Sequence, residues 1–181
     1  MKSRTLVSIG GALALLLGAV LVPASPASAA VLDITCLPPS SAVTTFDPPL
    51  TMARQTVDAT SSLQYGPCLS PSQPDIASGT SVRQDFGEQR SCLELLQPGT
   101  VTYTITWSTG ETSVIAGNTT STMIAGVVVT TVTGTVVDGL FAGSNVVEVL
   151  TSASTDLLLC TIGLRSVSRL SSSVVLKIGR V

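Results

Sequence analysis

The stretch Val101-Thr102-Tyr103-Thr104-Ile105-Thr106-Trp107-Ser108 decides the fold class. Apolar or aromatic side chains occupy its odd positions, and hydroxyl side chains occupy its even positions. Successive side chains of a β-strand point to opposite faces, so this alternation predicts a strand with one buried face and one solvated face. Residues 108–111 follow as a hairpin turn, and a returning strand is expected over residues 112–116.

Similar patterns recur on both sides of this hairpin. We predict further strands over residues 31–36, 50–57, 63–65, 81–86, 127–137, 145–150, 157–161 and 173–178. Closely spaced strands separated by turn residues predict an all-β protein. We expect an antiparallel β-sandwich, with a partly open β-barrel as the alternative. Good helix formers that end before Pro98 predict one short helical turn near residues 91–96.

Two regions carry patterns that predict how their strands are placed in the sheet. The prolines of residues 31–75 favour short edge strands there, because proline cannot donate to a strand ladder. In residues 81–86, Val82 and Phe86 lie on one side and Arg83 and Asp85 on the other, which predicts a half-buried strand.

The first 29 residues have the features of an export signal. Lys2 and Arg4 precede an apolar run over residues 6–22, and Ala27-Ser28-Ala29 supplies the small residues of a cleavage site. We therefore predict a signal peptide over residues 1–29 and a single secreted β domain over residues 30–181. The mature protein is expected to be extracellular, without a membrane segment after cleavage.

Four cysteines lie in the predicted mature part: Cys36, Cys68, Cys92 and Cys160. An even number of cysteines in an exported chain predicts two disulfides, and three pairings are open. We favour Cys36–Cys68 with Cys92–Cys160, because that pairing staples the N-terminal third separately from the hairpin-rich remainder. No two cysteines have the close spacing of a zinc site.

Composition excludes several functions. Removing Lys2 and Arg4 from the nine basic residues leaves seven against eleven acidic residues, a net charge of −4, so nucleic-acid binding is not expected. The chain contains no histidine, which excludes histidine-based nucleophilic catalysis and histidine metal sites. We find no motif for a metal or cofactor and expect a protein that is not an enzyme.

Carboxylates are the remaining candidates for acid–base chemistry. Glu148 shares a strand face with Val146 and Leu150, and Glu94 lies in the predicted helical turn. A buried carboxylate with a raised pKa beside a second one would support a hydrolase. No spacing in the sequence selects such a pair, so a carboxylate-based hydrolase is the second alternative function.

Two exposed sites are conceivable. Tyr103 and Trp107 share a strand face that could stack on the sugar rings of an extracellular polysaccharide, although Val101 and Ile105 on the same face favour the core. Arg90, two residues before Cys92, offers a basic side chain to a protease pocket, which makes a secreted protease inhibitor the first alternative function.

Self-association is a further expectation. The segment Val127–Val132 is uncharged, β-prone and free of proline. If it lies at a sheet edge, it favours assembly; if it is central, it belongs to the core.

The chain resembles small exported proteins of high-GC Gram-positive bacteria for which no functional family is known. The resemblance rests on the export signal ending in Ala27-Ser28-Ala29, the segments over residues 91–96, 102–108 and 139–143, and Leu157-Leu158-Leu159-Cys160. It implies a β-sandwich and no activity. Together with the composition, it leads us to expect a non-enzymatic extracellular module, either structural and surface-associated or ligand-binding, whose partner is a polysaccharide or a protein.

Overall fold

The computed structural model describes residues 31–180, so the predicted signal peptide lies outside the described residues. Within these residues there are ten strands: β1 (Val31–Cys36), β2 (Ser41–Leu50), β3 (Gln55–Tyr65), β4 (Cys68–Leu69), β5 (Gly79–Arg90), β6 (Gly99–Trp107), β7 (Thr112–Ile124), β8 (Val127–Gly139), β9 (Asn145–Ala153) and β10 (Val167–Arg180). A 3₁₀ turn covers Glu94–Leu96, and one short helix, α1, covers Thr155–Cys160. The all-β fold and the helical turn near residues 91–96 are confirmed.

Eight of the strands close into an antiparallel barrel. Neighbours follow the order β2-β3-β5-β6-β7-β8-β9-β10, and β10 pairs in turn with β2. Strand β10 allows this closure because its first half pairs with β2 and its second half with β9. The predicted sandwich is therefore wrong and the barrel alternative is right. A strand with one apolar face satisfies either architecture, so alternation alone does not distinguish them.

Strands β1 and β4 lie outside the barrel. β1 pairs with β10 beyond the part of β10 that β2 uses, and β4 pairs with β1. The disulfide Cys36–Cys68 joins these two strands, and Cys92–Cys160 joins the β5–β6 connection to α1. Both favoured pairings are confirmed.

The N-terminal strands differ from the prediction. β2 and β3 are long barrel strands rather than short edges, and residues 51–54 form the connection between them instead of a strand. Pro48 and Pro49 occur in β2 after Asp47, where the ladder to β3 ends. The two prolines therefore lie in a part of β2 that makes no ladder hydrogen bonds to β3, so their missing backbone N–H groups cost no such bond.

The predicted strand over residues 157–161 is also wrong, because α1 occupies these residues. Ser154 is extended and its Oγ accepts a hydrogen bond from the Leu157 backbone N–H, which caps the helix. Leu157 and Cys160, three residues apart, then face the same buried side. A serine three residues before an apolar residue was the signal for this helix start.

The barrel interior contains two apolar clusters. The larger fills one end of the barrel around fully buried side chains such as Ile105, Ile115, Leu176 and Ile178. We call it the packed end. The smaller cluster closes the opposite end, where Leu157 of α1 and the Cys92–Cys160 disulfide pack against Phe46 and Val57. We call α1 and the 3₁₀ turn, with their disulfide, the cap.

Candidate functional site

A cavity of about 890 Å³ lies inside the barrel between the packed end and the cap. Its walls combine apolar side chains, such as Val132 and Leu150, with hydroxyl side chains from several strands. An eight-stranded barrel is just wide enough to hold one small ligand when side chains do not fill it. In this half of the barrel several inward residues are small, such as Ser121, Thr130 and Ser152, and the interior between them is not filled.

Hydroxyl side chains pair across neighbouring strands on the cavity wall. Three such hydrogen-bonded pairs occur: Thr44 Oγ1 with Ser61 Oγ at 2.8 Å, Ser121 Oγ with Thr130 Oγ1 at 2.9 Å, and Ser152 Oγ with Ser172 Oγ. Each hydroxyl has one donor and two acceptor positions, so these pairs retain capacity for further hydrogen bonds. The wall can therefore offer further hydrogen bonds to a polar group in the cavity.

A buried ion pair separates the cavity from the packed end. Glu148 of β9 is 0 % exposed, and its Oε2 accepts a hydrogen bond of 2.7 Å from Arg83 of β5. Tyr65 and Tyr103 donate their hydroxyls to the same carboxylate at 2.6 and 3.0 Å. The Arg83 guanidinium lies 3.5 Å from the centre of the Tyr103 ring, a cation–π arrangement.

Burial and charge fix the protonation states of this cluster. Burial raises the pKa of Tyr65 and of Tyr103 well above the ordinary tyrosine value, and the negative Glu148 carboxylate raises both further. Burial, the largest single influence, lowers the pKa of Arg83, but the Glu148 carboxylate together with Tyr65 and Tyr103 outweighs it, and the resulting pKa lies above the ordinary arginine value. Arg83 therefore stays charged beside the Glu148 carboxylate, and the two tyrosines stay protonated.

The barrel wall is incomplete between β5 and β6. These strands pair only at Gly79 with Trp107 and at Thr80 with Thr106, whereas β6 pairs with β7 from Gly99–Thr119 to Thr106–Thr112. Beyond Thr80, β5 stays with β3 and diverges from β6. The resulting opening, which we call the side slot, leads into the cavity, since Val82, Gln84, Thr100, Thr102 and Thr104 all line the cavity although their side chains point outward.

The rim of the side slot is charged and more acidic than basic. Asp85, Glu88 and Glu94 line it together with Arg90. Arg90 forms an ion pair with Asp85 at 2.9 Å, and Arg54 forms one with Glu94 at 3.2 Å. Such exposed pairs contribute little to stability, but they set the charge that an entering ligand meets.

The structure places Tyr103 and Trp107, the predicted ligand face, inside the barrel. Trp107 donates its indole N–H to Ser113 Oγ at 2.8 Å and contacts Phe141 edge-to-face. Gly79 lies beneath the Trp107 ring, where a Cβ atom would approach that ring to 2.8 Å. Tyr103 contributes to the cavity through the Glu148 cluster, while Trp107 belongs to the packed end.

Arg90, the predicted inhibitor residue, lies in a regular strand. It is the last residue of β5 and pairs with Gln55 of β3. Its side chain is about three-quarters buried and faces Asp85. The inhibitor hypothesis therefore stays a prediction from the sequence, with no structural observation added.

Sequence reasoning assigned one side of β5 to the wrong environment. Val82 and Phe86, on the apolar side of the predicted half-buried strand, are 63 % and 62 % exposed, and Arg83 points inward. The sequence pattern put Glu148 and Val146 on one strand face without saying which way it points, and the structure shows that both are buried. Arg83 was missed, although a buried glutamate requires a cation or several donors as its partner.

No family model matches the chain, and no curated protein or solved structure matches it either. Within residues 31–180, no group of cysteine, aspartate or glutamate side chains has the arrangement of a metal site. The same residues include no helix that is long and apolar enough to cross a membrane.

Proposed function

We propose that this protein is a non-enzymatic extracellular binding module whose barrel holds an uncharged, hydrogen-bonding ligand. The observation that carries the proposal is the cavity of about 890 Å³, lined by cross-strand hydroxyl pairs and opened by the side slot. Ligand sites are typically concave, partly apolar and equipped with a few placed polar groups. This cavity has all three properties.

The charge of the cavity favours an uncharged ligand group. Arg83 and Glu148 neutralise each other at 2.7 Å, and the hydroxyl walls carry no charge. A charged group buried here would need a counter-ion that the ion pair no longer supplies. Saccharides, polyols and peptide groups satisfy hydroxyl walls without that cost.

Catalysis is not part of the proposal. Glu148 accepts hydrogen bonds from three side chains and is fully buried, so it serves as the partner of Arg83 rather than as an exposed acid or base. The absence of histidine removes the usual group that titrates near neutral pH. The two disulfides support an oxidising, extracellular environment.

The test uses a cavity-blocking variant and a matched control. Ser121→Phe places a ring in the cavity, and Thr120→Phe adds the same ring to the outer face of the same strand. The oxidised protein, produced from the full-length chain, is titrated with uncharged oligosaccharides, polyols and end-blocked peptides while backbone amide NMR shifts are followed.

We expect at least one ligand to shift amides of the cavity strands, to lose binding in Ser121→Phe and to keep it in Thr120→Phe. A panel without any binder, or binding that both variants retain equally, would contradict the proposal. Circular dichroism and melting curves of both variants check that the barrel is intact.

A further inference from the structure

The side slot exposes backbone hydrogen-bonding groups on β6. The Trp107 N–H donates toward β7, to Glu111 O, whereas the Ser108 N–H donates toward β5, to Ser78 O. Backbone groups of successive strand residues point to alternate sides, and the β6–β7 ladder has no register shift. The N–H and C=O groups of Thr100, Thr102 and Thr104 therefore face the side slot.

Strand β5 exposes a matching set on the opposite side of the slot. Thr80 pairs with Thr106 across the closed part of the seam, so the backbone groups of Val82 and Gln84 face the same way as those of Thr80. They have no strand partner there, because β6 has diverged. The bulge between Asp85 and Glu88 ends this regular stretch.

Nothing in the β6 sequence protects its open edge. Proteins usually block such edges with charged residues, proline or bulges, but Gly99–Trp107 contains none of them. The open donors and acceptors repeat every second residue, about 6.8 Å apart. That spacing is the repeat of another extended peptide chain.

We propose that the occupant of the side slot is an extended, non-acidic peptide segment that pairs with the edge of β6 as an added strand. Alternate side chains of this peptide point inward to the hydroxyl-lined cavity. The others point outward beside the exposed Val82 and Phe86. This inference rests on the proposed function, and it names the ligand class of the same site.

Charge favours a peptide without acidic residues. The rim holds three carboxylates, Asp85, Glu88 and Glu94, against the guanidinium groups of Arg90 and Arg54. Within residues 31–180, Glu88 is the rim carboxylate without an ion-pair partner. A basic side chain on the peptide would be attracted to it, and an acidic one repelled.

A second copy of the chain fits the slot less well. Pairing two β6 strands symmetrically about Thr102 would place Pro98 of one copy opposite Thr106 of the other. Thr106 already pairs with Thr80 at that point, so the two copies would compete with β5. A short free peptide ends before this obstruction.

The experiment measures binding of end-blocked heptapeptides by calorimetry and by NMR of the β6 amides. The parent peptide alternates valine and threonine with a lysine at each end. Two N-methylated versions carry methyl groups on all valine or on all threonine amides, which blocks one edge of the peptide at a time. A version with glutamate at both ends tests the charge argument.

We expect the parent peptide to bind and at least one N-methylated version to bind roughly tenfold more weakly, since it cannot donate to the edge. The glutamate version should also bind more weakly. In the protein, Thr102→Pro removes an open N–H without removing a β6–β7 bond and should weaken binding roughly tenfold. Thr102→Val keeps the N–H and measures the contribution of the side chain alone, so it should weaken binding less than Thr102→Pro does.

Each outcome separates this inference from the proposed function. If the parent peptide does not bind at millimolar concentration, or both N-methylated versions bind as tightly as the parent, the peptide is wrong as the ligand class. A saccharide or polyol ligand sensitive to Ser121→Phe would then still support a binding cavity. Peptide binding that Thr102→Pro weakens and Ser121→Phe leaves unchanged would support the edge and contradict the cavity. A dimer that Thr102→Pro dissociates would overturn the peptide in favour of a second copy.

Discussion

The two halves of the barrel interior are built from the same strands but filled differently. Strand β7 shows the contrast within one segment, because Ile115 is fully buried in the packed end and Ser121 lines the cavity six residues later. The packed end follows the usual rule of close packing around large apolar side chains. The cavity half is not close-packed, so the packed end and the cap must supply most of the stability of the barrel.

The ion pair at the boundary provides the strongest way to break this arrangement. Glu148→Gln removes the negative charge but leaves the Arg83 guanidinium, which is 15 % exposed, inside the barrel. We expect the free energy of unfolding to fall by about 3–5 kcal/mol, because a charge that has lost its buried partner is strongly destabilising. Urea denaturation of the oxidised protein measures the change.

A double variant controls for this effect. Glu148→Leu combined with Arg83→Met removes both charges and keeps side chains of similar size, so it should recover most of the lost stability. Equal destabilisation of the double variant and Glu148→Gln would show that the hydrogen bonds of the cluster, rather than its charge balance, hold the boundary.

Paired substitutions in β7 compare the two halves directly. Ile115→Ala should lower the free energy of unfolding by about 3 kcal/mol, since it leaves a void in close-packed surroundings. Ser121→Ala should lower it by less than about 1 kcal/mol, because the freed Thr130 hydroxyl can hydrogen-bond to water in the cavity. Both values come from denaturant titrations. Similar losses at the two positions would contradict the distinction between the halves.

The sequence predicted the packed end better than the cavity half. Alternation placed Tyr103, Ile105 and Trp107 on one face, and that face is buried in the barrel. The same rule failed for β5, where Val82 and Phe86 are exposed and Arg83 is inward. Alternation identifies the two faces of a strand, but it does not say which face is inward. In β5 the polar face is inward because Glu148, which is distant in sequence, forms an ion pair with Arg83.

The closure of the barrel and the position of its open strand edge could not be predicted from any single segment of the sequence. The pairing of β10 with β2 joins residues more than a hundred positions apart, and neither strand has a pattern that names its partner. The segment Val127–Val132, predicted to favour assembly if it lay at an edge, forms the first half of β8, which is a central strand paired with β7 and β9. The open edge belongs instead to β6, where the sequence shows only a regular strand.

Alkaline pH should lower the free energy of unfolding by a smaller amount, through the two tyrosines at the boundary between the packed end and the cavity. An unfolded tyrosine ionises near pH 10, whereas burial, reinforced by the Glu148 charge, raises the pKa of Tyr65 and Tyr103 in the folded protein. Above about pH 10 the unfolded chain therefore releases protons that the folded protein retains, so stability that is fully present below that pH decreases as the pH rises. We expect a loss of about 1 kcal/mol for each tyrosine between about pH 9 and pH 11. Urea titrations at several pH values should show this loss in the wild type and a flatter profile in the Tyr65→Phe/Tyr103→Phe variant. Identical profiles would mean that the tyrosines titrate normally and that water from the cavity reaches the ion pair.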